Sequence, residues 1–341
     1  MDIPEIGAHL LSTAELRATG RTRASIEADL REGRLVRVHR GWYMDAAYWA
    51  TLYSEGRQVA QGLAVFGAAR SERAIASHTT AAAFLLLPIT RISPKKVHLV
   101  SARANGRVGS DRLVARHRAD LTAYDVTTRF GVSVTSLMRT VCDLIGHLPM
   151  ESAVSLADAA MRSVAWREDT RTYDAVAAEL WRTEMREHLA RRGGARGIVQ
   201  ARWVLEFADG RAQRPGESIS RLYLERLGFG RPRLQVPVTG PNGEEWAIDL
   251  GLDDVPAWGE FDGQAKYTDP QMLAGQSTAA AVLAEKARED WIRGTTGRPV
   301  LRWGWSHIAS PASFRRHLAA FGVTAPVPHL RIHFEVPRST F

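Results

Sequence analysis

Residues 246–266 read Trp-Ala-Ile-Asp-Leu-Gly-Leu-Asp-Asp-Val-Pro-Ala-Trp-Gly-Glu-Phe-Asp-Gly-Gln-Ala-Lys, and this stretch decides the fold of the C-terminal part of the chain. Two short apolar runs, Trp246–Leu252 and Ala257–Phe261, are separated by a turn that contains Val255 and Pro256. Runs of this length between turn residues are typical of β-strands. The stretch therefore predicts two adjacent strands joined by a hairpin loop.

Three carboxylates lie on these predicted strands, Asp249 on the first and Glu260 and Asp262 on the second. Because side chains alternate along a strand, Glu260 and Asp262 point to the same face, and strand pairing brings Asp249 beside them. Burying three like charges without compensation costs several kcal/mol, so a divalent cation or a basic side chain such as Lys266 must lie nearby. Mg²⁺ prefers oxygen ligands and keeps several waters, so this cluster could hold the ion and activate a water.

Further motifs continue on both sides of the carboxylates. In chain order the set is Pro-Gly-Glu at 215–217, Asp249, Glu-Phe-Asp-Gly at 260–263, Glu-Lys-Ala-Arg-Glu-Asp at 285–290 and Leu-Arg-Trp at 301–303. With these motifs, residues 214–306 resemble the PD-(D/E)XK nuclease superfamily, and most closely its branch of very-short-patch-repair endonucleases. The resemblance implies a restriction-endonuclease-like mixed sheet flanked by helices, and hydrolysis of DNA phosphodiesters.

The resemblance also implies roles for individual residues. Asp249 and Glu260 would hold Mg²⁺ or Mn²⁺, and the family has a lysine two residues after the Glu. This chain has Asp262 there, so the lysine's role would move to Lys266 or to Lys286 on a later helix. Glu217, in the first turn of a predicted helix, would either join the metal site or interact favourably with the helix dipole. The candidate catalytic residues are therefore Asp249, Glu260, Asp262, Lys266, Glu217 and Lys286.

The overall composition is that of a basic globular protein. The 341 residues include 45 Lys and Arg against 37 Asp and Glu, which gives a formal charge of +8 and favours nucleic acid or another anionic partner. Cys142 is the single cysteine, which excludes an intrachain disulfide and favours the reducing cytoplasm. The longest apolar run, Ala81–Ile89, is about half of the roughly 20 residues that a membrane helix needs, and the N-terminus lacks a signal pattern. We therefore expect no membrane partner.

Residues 10–44 predict a helix, a tight turn, a second helix and a basic hairpin. A capping box at 12–15 starts the first helix, and the second runs from Thr22 to Glu32, with Gly33 as its C-terminal cap. This order is that of a winged helix-turn-helix, whose second helix enters the major groove of DNA. We predict that five arginines contact phosphates or bases, the first two from the second helix and the other three from the wing: Arg21, Arg23, Arg34, Arg37 and Arg40.

The same stretch resembles the N-terminal domain of AbiEi-type antitoxins of type IV toxin–antitoxin systems. The likeness consists of Ser-Thr-Ala-Glu-Leu-Arg-Ala-Thr-Gly at 12–20 and Leu-Arg-Glu-Gly-Arg-Leu-Val-Arg-Val-His-Arg-Gly-Trp-Tyr at 30–43. It implies a transcriptional autoregulator that binds operator DNA, and a partner toxin as a further option. The alternative is a helix-turn-helix that serves only for protein contact.

The expected fold class is α/β (α+β), in four parts: a winged helix-turn-helix at 1–50, an α/β middle domain at 51–190, a junction at 191–213 and the nuclease-like domain at 214–341. Three functions stay open. The first is a DNA-binding, Mg²⁺-dependent endonuclease. The second is an antitoxin-like autoregulator with an inactive nuclease fold, and Asp262 in place of lysine favours this second function. A scaffold that shields a partner toxin is a third option.

Three residues of the predicted middle domain are expected to have structural roles. His78 lies near a helix start, where it could contact phosphate, but a hydrogen-bonded structural role is favoured. Asp143 and Asp158 lie on predicted helix faces and are expected to be solvated or capping carboxylates.

Overall fold

The computed structural model describes residues 1–68, 74–101, 112–263 and 278–326, and it shows a mixed α/β protein. Contacts within the chain divide it into two units. The first unit contains Met1–Leu156 and Arg182–Glu206, and the second contains Ala157–Trp181 and the described residues from Phe207 onward.

Two expectations from the sequence fall on residues that the structure does not describe. One is the position of the catalytic candidate Lys266, and the other is a strand over 330–336, where Leu-Arg-Ile-His-Phe-Glu-Val alternates apolar and polar residues. Among the helices of the described ranges, none has the length and apolar character that crossing a membrane requires.

The first unit begins with short helices beside a small sheet. In chain order the elements are α1 (Ile3–Ala8), β1 (Leu11–Ser12), α2 (Thr13–Ala18), α3 (Arg23–Arg31), β2 (Leu35–His39) and β3 (Trp42–Asp45). The three strands pair antiparallel in the order β1-β3-β2. The predicted succession of helix, turn, helix and hairpin is confirmed.

Capping residues set the ends of α2 and α3. Ser12 Oγ accepts the N–H of Glu15 at 3.2 Å, and the Glu15 carboxylate accepts the N–H of Ser12 at 2.7 Å, so the predicted capping box is present. Thr22 caps α3 by accepting the N–H of Ser25 at 3.1 Å. Gly33 follows α3 with φ +72°, a left-handed conformation that glycine adopts without a Cβ clash.

A small apolar cluster holds α2 and α3 against the β2–β3 hairpin. Its buried members are Leu16, Ile26, Leu35 and Tyr43. Full burial of a side chain of this size contributes about 1.5–3 kcal/mol. The cluster therefore fixes one side of α3 on the hairpin, while Arg23, Ala24 and Glu27 on α3 stay exposed.

The rest of the first unit is built around a five-stranded sheet. Its elements, continuing into a helix that enters the second unit, are α4 (Ala46–Thr51), α5 (Ser54–Ala68), β4 (Ala74–Ala76), α6 (His78–Phe84), β5 (Val97–Ser101), β6 (Val114–Arg118), β7 (Val126–Arg129), β8 (Val132–Thr135), α7 (Leu137–Leu144) and α8 (Met150–Ala165). The strand order is β6-β5-β4-β8-β7. The β5–β6 and β4–β8 pairs are parallel, and the other two are antiparallel.

The elements between Trp166 and Phe207 belong in part to each unit. They are β9 (Trp166–Arg167), β10 (Thr172–Tyr173), α9 (Ala175–Ala190) and α10 (Ile198–Phe207). Helix α10 occupies half of the stretch 191–213, which the sequence analysis assigned to a junction.

The second unit is built around a mixed four-stranded sheet. Its elements are α11 (Pro215–Leu227), β11 (Arg233–Thr239), β12 (Glu245–Leu252), β13 (Ala257–Phe261), α12 (Thr278–Thr296), β14 (Val300–Trp303) and α13 (Pro311–Ala320). The order is β11-β12-β13-β14, antiparallel except for the parallel pair β13–β14. Leu250 pairs with Gly259 and Leu252 with Ala257, so the predicted hairpin is confirmed.

Two of the five C-terminal tryptophans lie in the core of the second unit. Trp303 is 1% exposed, and its indole N–H donates to Ser220 Oγ on α11 at 2.7 Å, while Trp258 is 5% exposed. Tryptophans of such a domain are expected more often in the core than in ligand stacking, but Trp291 and Trp305 retain 37% exposure, so a core role is wrong for these two.

The two aspartates expected to be solvated are buried in ion pairs. Asp143 on α7 lies 3.0 Å from Arg139 Nε and 2.8 Å from Arg192 Nη2. Asp158 on α8 lies 2.9 Å from Arg221 Nη2, and this pair is almost fully buried. The prediction was wrong because Arg192 and Arg221 come from elements distant in sequence, which a reading of one helix face does not include.

Candidate functional site

Strand pairing brings Asp249 next to Glu260, since Leu250 on β12 pairs with Gly259 on β13. Asp249 is half-buried on β12, and its Oδ2 accepts the N–H of Phe261 at 2.9 Å. Its negative charge also acts on the carboxylate of Glu260. The strand register therefore brings Asp249 beside the second strand, as the alternation of side chains predicts.

Glu260 is buried between two arginines. Its exposure is 3%, and its Oε1 lies 2.9 Å from Arg288 Nη1 and its Oε2 2.9 Å from Arg302 Nη2. Burial raises the pKa of Glu260, although both guanidinium groups act in the opposite direction. Cations from α12 and β14 thus hold the carboxylate that the nuclease resemblance assigns to metal binding.

Arg302 joins several acidic side chains. Its Nη1 lies 3.1 Å from Asp262 Oδ2, its Nε lies 2.9 Å from Glu289 Oε2, and it also pairs with Glu285. Burial opposes the charge of Arg302, but the hydrogen bond to Glu285 and the surrounding carboxylates outweigh it and raise the pKa of the guanidinium. Arg302 therefore stays charged and neutralises Glu260 and Asp262 together.

Lysine does not supply the positive charge over these carboxylates in the described residues. Lys286 is exposed on α12 and makes no ion pair with any residue that the structure describes. Arg288 and Arg302 take this position instead. Arg288 belongs to the 285–290 motif and Arg302 to the 301–303 motif. Glu285 lies at helical spacing from Arg288, and this spacing indicates only a surface ion pair.

Glu217 lies in a separate buried network near the start of α11. Its Oε2 accepts the N–H of Gln213 at 2.9 Å. Gln235 Nε2 lies between the two carboxylates, 3.4 Å from Glu217 Oε2 and 3.5 Å from Asp249 Oδ1. Burial and the charge of Asp249 raise the pKa of Glu217 to about 8, so this carboxyl holds a proton at neutral pH.

Gln235 also has an unusual backbone. It sits within strand β11 with φ +49°, a left-handed conformation that is rare for residues other than glycine. Strained residues of this kind are found disproportionately at functional sites. The strain and the protonated carboxyl of Glu217 mark the Glu217–Gln235–Asp249 network as distinct from the arginine-bound carboxylates.

The predicted ligand set does not fit a divalent cation in this fold. Among the described residues, one set of three potential ligand side chains has its ligand atoms within 4.8 Å of one another, and it is composed of histidines. Asp249, Glu260 and Asp262 are not such a set, and arginines bind the oxygens of the latter two. We therefore derive no reaction step through a metal at these three residues.

Two of the five predicted DNA-contacting arginines share one acidic partner. Arg21 and Arg34 both pair with Asp29 on α3, whose side chain is 13% exposed, and Arg34 also pairs with Glu32. These contacts tie the start and end of α3 to one carboxylate. The structure thus places Arg21 and Arg34 in a contact that stabilises the helix.

The other three predicted arginines line one groove between α3 and the hairpin, with a fourth that the sequence analysis did not select. Arg23 is exposed and pairs with Glu27 at 2.9 Å, one helical turn away. Arg37 and Arg40 are exposed on the hairpin, and Arg17 on α2 faces the same groove. In the part of the chain that the structure describes, Arg17, Arg37 and Arg40 form no ion pair with an acidic side chain.

The proteins that are similar to this chain have no described activity. No protein-family model matches the chain. Uncharacterized proteins from two strains of Mycobacterium tuberculosis are 28% identical over 271 residues, which covers 77% of this chain and 87% of each relative.

Proposed function

We propose that this protein binds double-stranded DNA through α2, α3 and the β2–β3 hairpin and acts as a transcriptional regulator of the antitoxin type. The observation that supports the proposal is the exposed groove with Arg17, Arg23, Arg37 and Arg40 on one face of the helix pair. Arginines that neutralise phosphates release condensed counterions, which provides affinity for any DNA sequence. This part of the chain is proposed to be a winged helix-turn-helix.

Helix α3 is the proposed recognition helix. The apolar cluster and Asp29 hold its inner side, so the exposed side can enter the major groove, which is about 12 Å wide and admits one helix. Arg37 and Arg40 on the hairpin would then contact the phosphates beside that groove. Arg21 and Arg34 are held by Asp29, so the proposed phosphate contacts come from the four groove arginines, of which Arg23 pairs with the exposed Glu27.

In this proposal the C-terminal sheet keeps a nuclease-like arrangement without catalysing cleavage. Its β12–β13 hairpin and parallel β14 agree with the order that the resemblance implies. Arg288 and Arg302 bind the carboxylates that a cation would need, and Asp262 stands where the family has lysine. A DNA-binding protein with an inactive nuclease fold is the function that this geometry supports best.

The test is DNA binding by the full chain as a function of salt. Fluorescence anisotropy with duplex DNA from upstream of its own gene, and with scrambled duplex, should give an affinity that falls steeply with salt. Arg37→Ala and Arg40→Ala should each reduce the slope of log K against log salt by about 1. Arg129→Ala removes the same charge from the exposed strand β7 and should leave the slope unchanged.

Two outcomes would contradict the proposal. One is an affinity that does not depend on salt, since phosphate contacts require such a dependence. The other is an equal effect of Arg129→Ala and Arg37→Ala, which would indicate that only net charge matters. A preference for the upstream duplex over the scrambled one would support regulation at a specific operator.

Mg²⁺-dependent cleavage of DNA is a second candidate, and the Glu217–Gln235–Asp249 network favours it. Burial, together with the charge of Asp249, raises the pKa of Glu217 to about 8, and a bound cation would stabilise this pair of carboxyl groups. Such an ion would supply water activation. Supercoiled plasmid should then be nicked with Mg²⁺ and not with EDTA, and Asp249→Asn should abolish nicking while the exposed Asp253→Asn retains it. Equal nicking by the wild type and Asp249→Asn would exclude this candidate.

A further inference from the structure

Three histidines from separate elements of the first unit meet in one cluster. His78 is the first residue of α6, His98 lies on β5 and His117 on β6. One ring nitrogen of each lies within 4.8 Å of the others, and His98 Nδ1 is 2.8 Å from His117 Nε2. The rings of His78 and His117 stack with their centroids 4.0 Å apart.

The parallel pairing of β5 and β6 places two of these rings together. His98 pairs with Ala115 and Val100 pairs with His117, so the two histidines are offset by two residues. Side chains two residues apart along a strand share a face, so His98 and His117 point to the same side of the sheet. His98 is 3% exposed, and its ring therefore has little access to bulk water.

Hydrogen bonds to the backbone of His98 bring the third histidine to this face. The His98 carbonyl accepts the N–H of Ser77 at 2.9 Å, and the His98 N–H donates to Thr80 Oγ1 at 2.9 Å. Gln58 Nε2 also donates to Thr80 Oγ1, at 2.6 Å, and so fixes this hydroxyl. The first turn of α6, which contains His78, is thus attached to β5 at two points.

The backbone at His78 is strained. Its φ is +50°, in the left-handed region that few residues other than glycine occupy. His78 Nδ1 lies 3.0 Å from Ser77 Oγ, so the predicted hydrogen-bonded role is confirmed. That hydrogen bond does not explain the cluster, and strain that the surrounding structure maintains points to a functional constraint on the direction of the ring.

The three rings supply imidazole nitrogens, which are common ligands of transition-metal ions. Burial lowers the pKa of His78 and of His98 to about 3, and it also lowers the pKa of His117. Nearby Arg139 and Arg192 repel a cation, but both pair with buried Asp143, which compensates part of their charge.

We propose that His78, His98 and His117 bind a transition-metal ion, with Zn²⁺ as the expected ion. Three imidazoles suit Zn²⁺ and related ions and do not suit Mg²⁺ or Ca²⁺, which prefer oxygen. Three protein ligands leave one position of a tetrahedral ion for water or an anion. The site belongs to a different unit from the carboxylates and is independent of the proposed DNA-binding surface.

The experiment measures metal binding by the full chain without an affinity tag, after treatment with a chelator. Isothermal titration with Zn²⁺ should show one tight equivalent, and Co²⁺ should give the intense visible absorption of a tetrahedral site. His98→Gln and His117→Gln should each weaken Zn²⁺ binding about a hundredfold or more, since even changes beyond the ligands cost 10–100-fold. His9→Gln alters an exposed histidine of the same unit and should retain the full equivalent.

Folding of each variant is checked by its circular dichroism spectrum, and His78→Gln serves where a variant of the buried His98 does not fold. Absence of Zn²⁺ binding by the wild type at micromolar concentrations would overturn the proposal. Unchanged binding by all folded variants of the three histidines would also overturn it. Loss of binding in His9→Gln would place the metal elsewhere, with the same consequence.

Discussion

Removal of Arg302 should destabilise the second unit in a pH-dependent way. The side chain of Glu260 is 4% exposed and depends on Arg302 and Arg288 for neutralisation. Breaking a buried ion pair by removing one partner costs about 3–5 kcal/mol. Because Arg288 remains 2.9 Å from Glu260 and keeps part of the neutralisation, we expect Arg302→Met to lower the free energy of unfolding by about 2–4 kcal/mol near pH 8.

The pH dependence follows from the direction of the Glu260 pKa. Burial already raises this pKa above its value of 4.5 in an unfolded chain, and loss of Arg302 should raise it further. A raised pKa in the folded state means that stability is fully present below the unfolded value and is lost as pH rises through the folded one. The difference between Arg302→Met and the wild type should therefore be smaller at pH 5 than at pH 8.

The measurement is urea unfolding of the full chain at both pH values, followed by tryptophan fluorescence. Arg298→Met is the matched control, because Arg298 pairs with Asp253, which is 51% exposed. Exposed pairs contribute about 0–1 kcal/mol, so the control should remain close to the wild type. Equal effects of the two substitutions, or an Arg302→Met effect that does not change with pH, would refute the proposed burial of charge.

Two further predictions concern the same unit. Arg221→Met should lower the free energy of unfolding by about 3–5 kcal/mol, because it leaves the buried Asp158 without its cation. The double variant Arg221→Met/Asp158→Leu should recover most of this loss. Denaturation midpoints of the two variants measure the difference. The pKa of Glu217 is raised to about 8 in the folded chain, so the wild type should lose stability as the pH rises from about 4.5 to 8. The loss should reach up to about 1.4 kcal/mol per pH unit. Glu217→Gln removes this carboxyl and should flatten the pH profile of stability. A wild-type profile that is flat over this window would contradict the second prediction.

Features that depend on neighbouring residues were predictable from the sequence. The capping box at Ser12 and Glu15 and the hairpin between β12 and β13 use signals that lie within a few residues. The Thr22 cap of α3 belongs to the same class. In each case the local chain contains both partners of the decisive contact, so a pattern of residue types is sufficient to predict it.

Strand β7 is an element that local sequence signals do not predict. Its residues, Val-Thr-Thr-Arg, do not alternate between apolar and polar, and it is formed by antiparallel pairing with β8. The connecting turn is Phe130-Gly131, with φ values of +51° and +76°. Hairpin turns with two left-handed residues usually contain Asn-Gly or Asp-Gly. The dipeptide Phe130-Gly131 therefore does not predict a hairpin from the sequence.

The candidate sites were predictable only in part, because their partners are far apart in sequence. The convergence of Asp249 and Glu260 followed from strand alternation, whereas Arg302, which neutralises Asp262 across 40 residues, required the parallel strand. The three histidines are separated by about twenty residues each and match no ligand spacing that sequence patterns use. Tertiary structure alone brings such residues together.

The parallel strand β14 has a consequence for synthesis of the chain. It delivers both Arg302 and Trp303, and the indole of Trp303 bonds Ser220, which the ribosome adds 83 residues earlier. Contacts of such long separation form slowly, since the intervening chain must be ordered first. A nascent chain that pauses within α12 would present an open edge of β13 and a carboxylate with half of its counter-charge missing. Such intermediates are the species that chaperones and quality-control proteases bind, so expression should be sensitive to translation speed over the final helices.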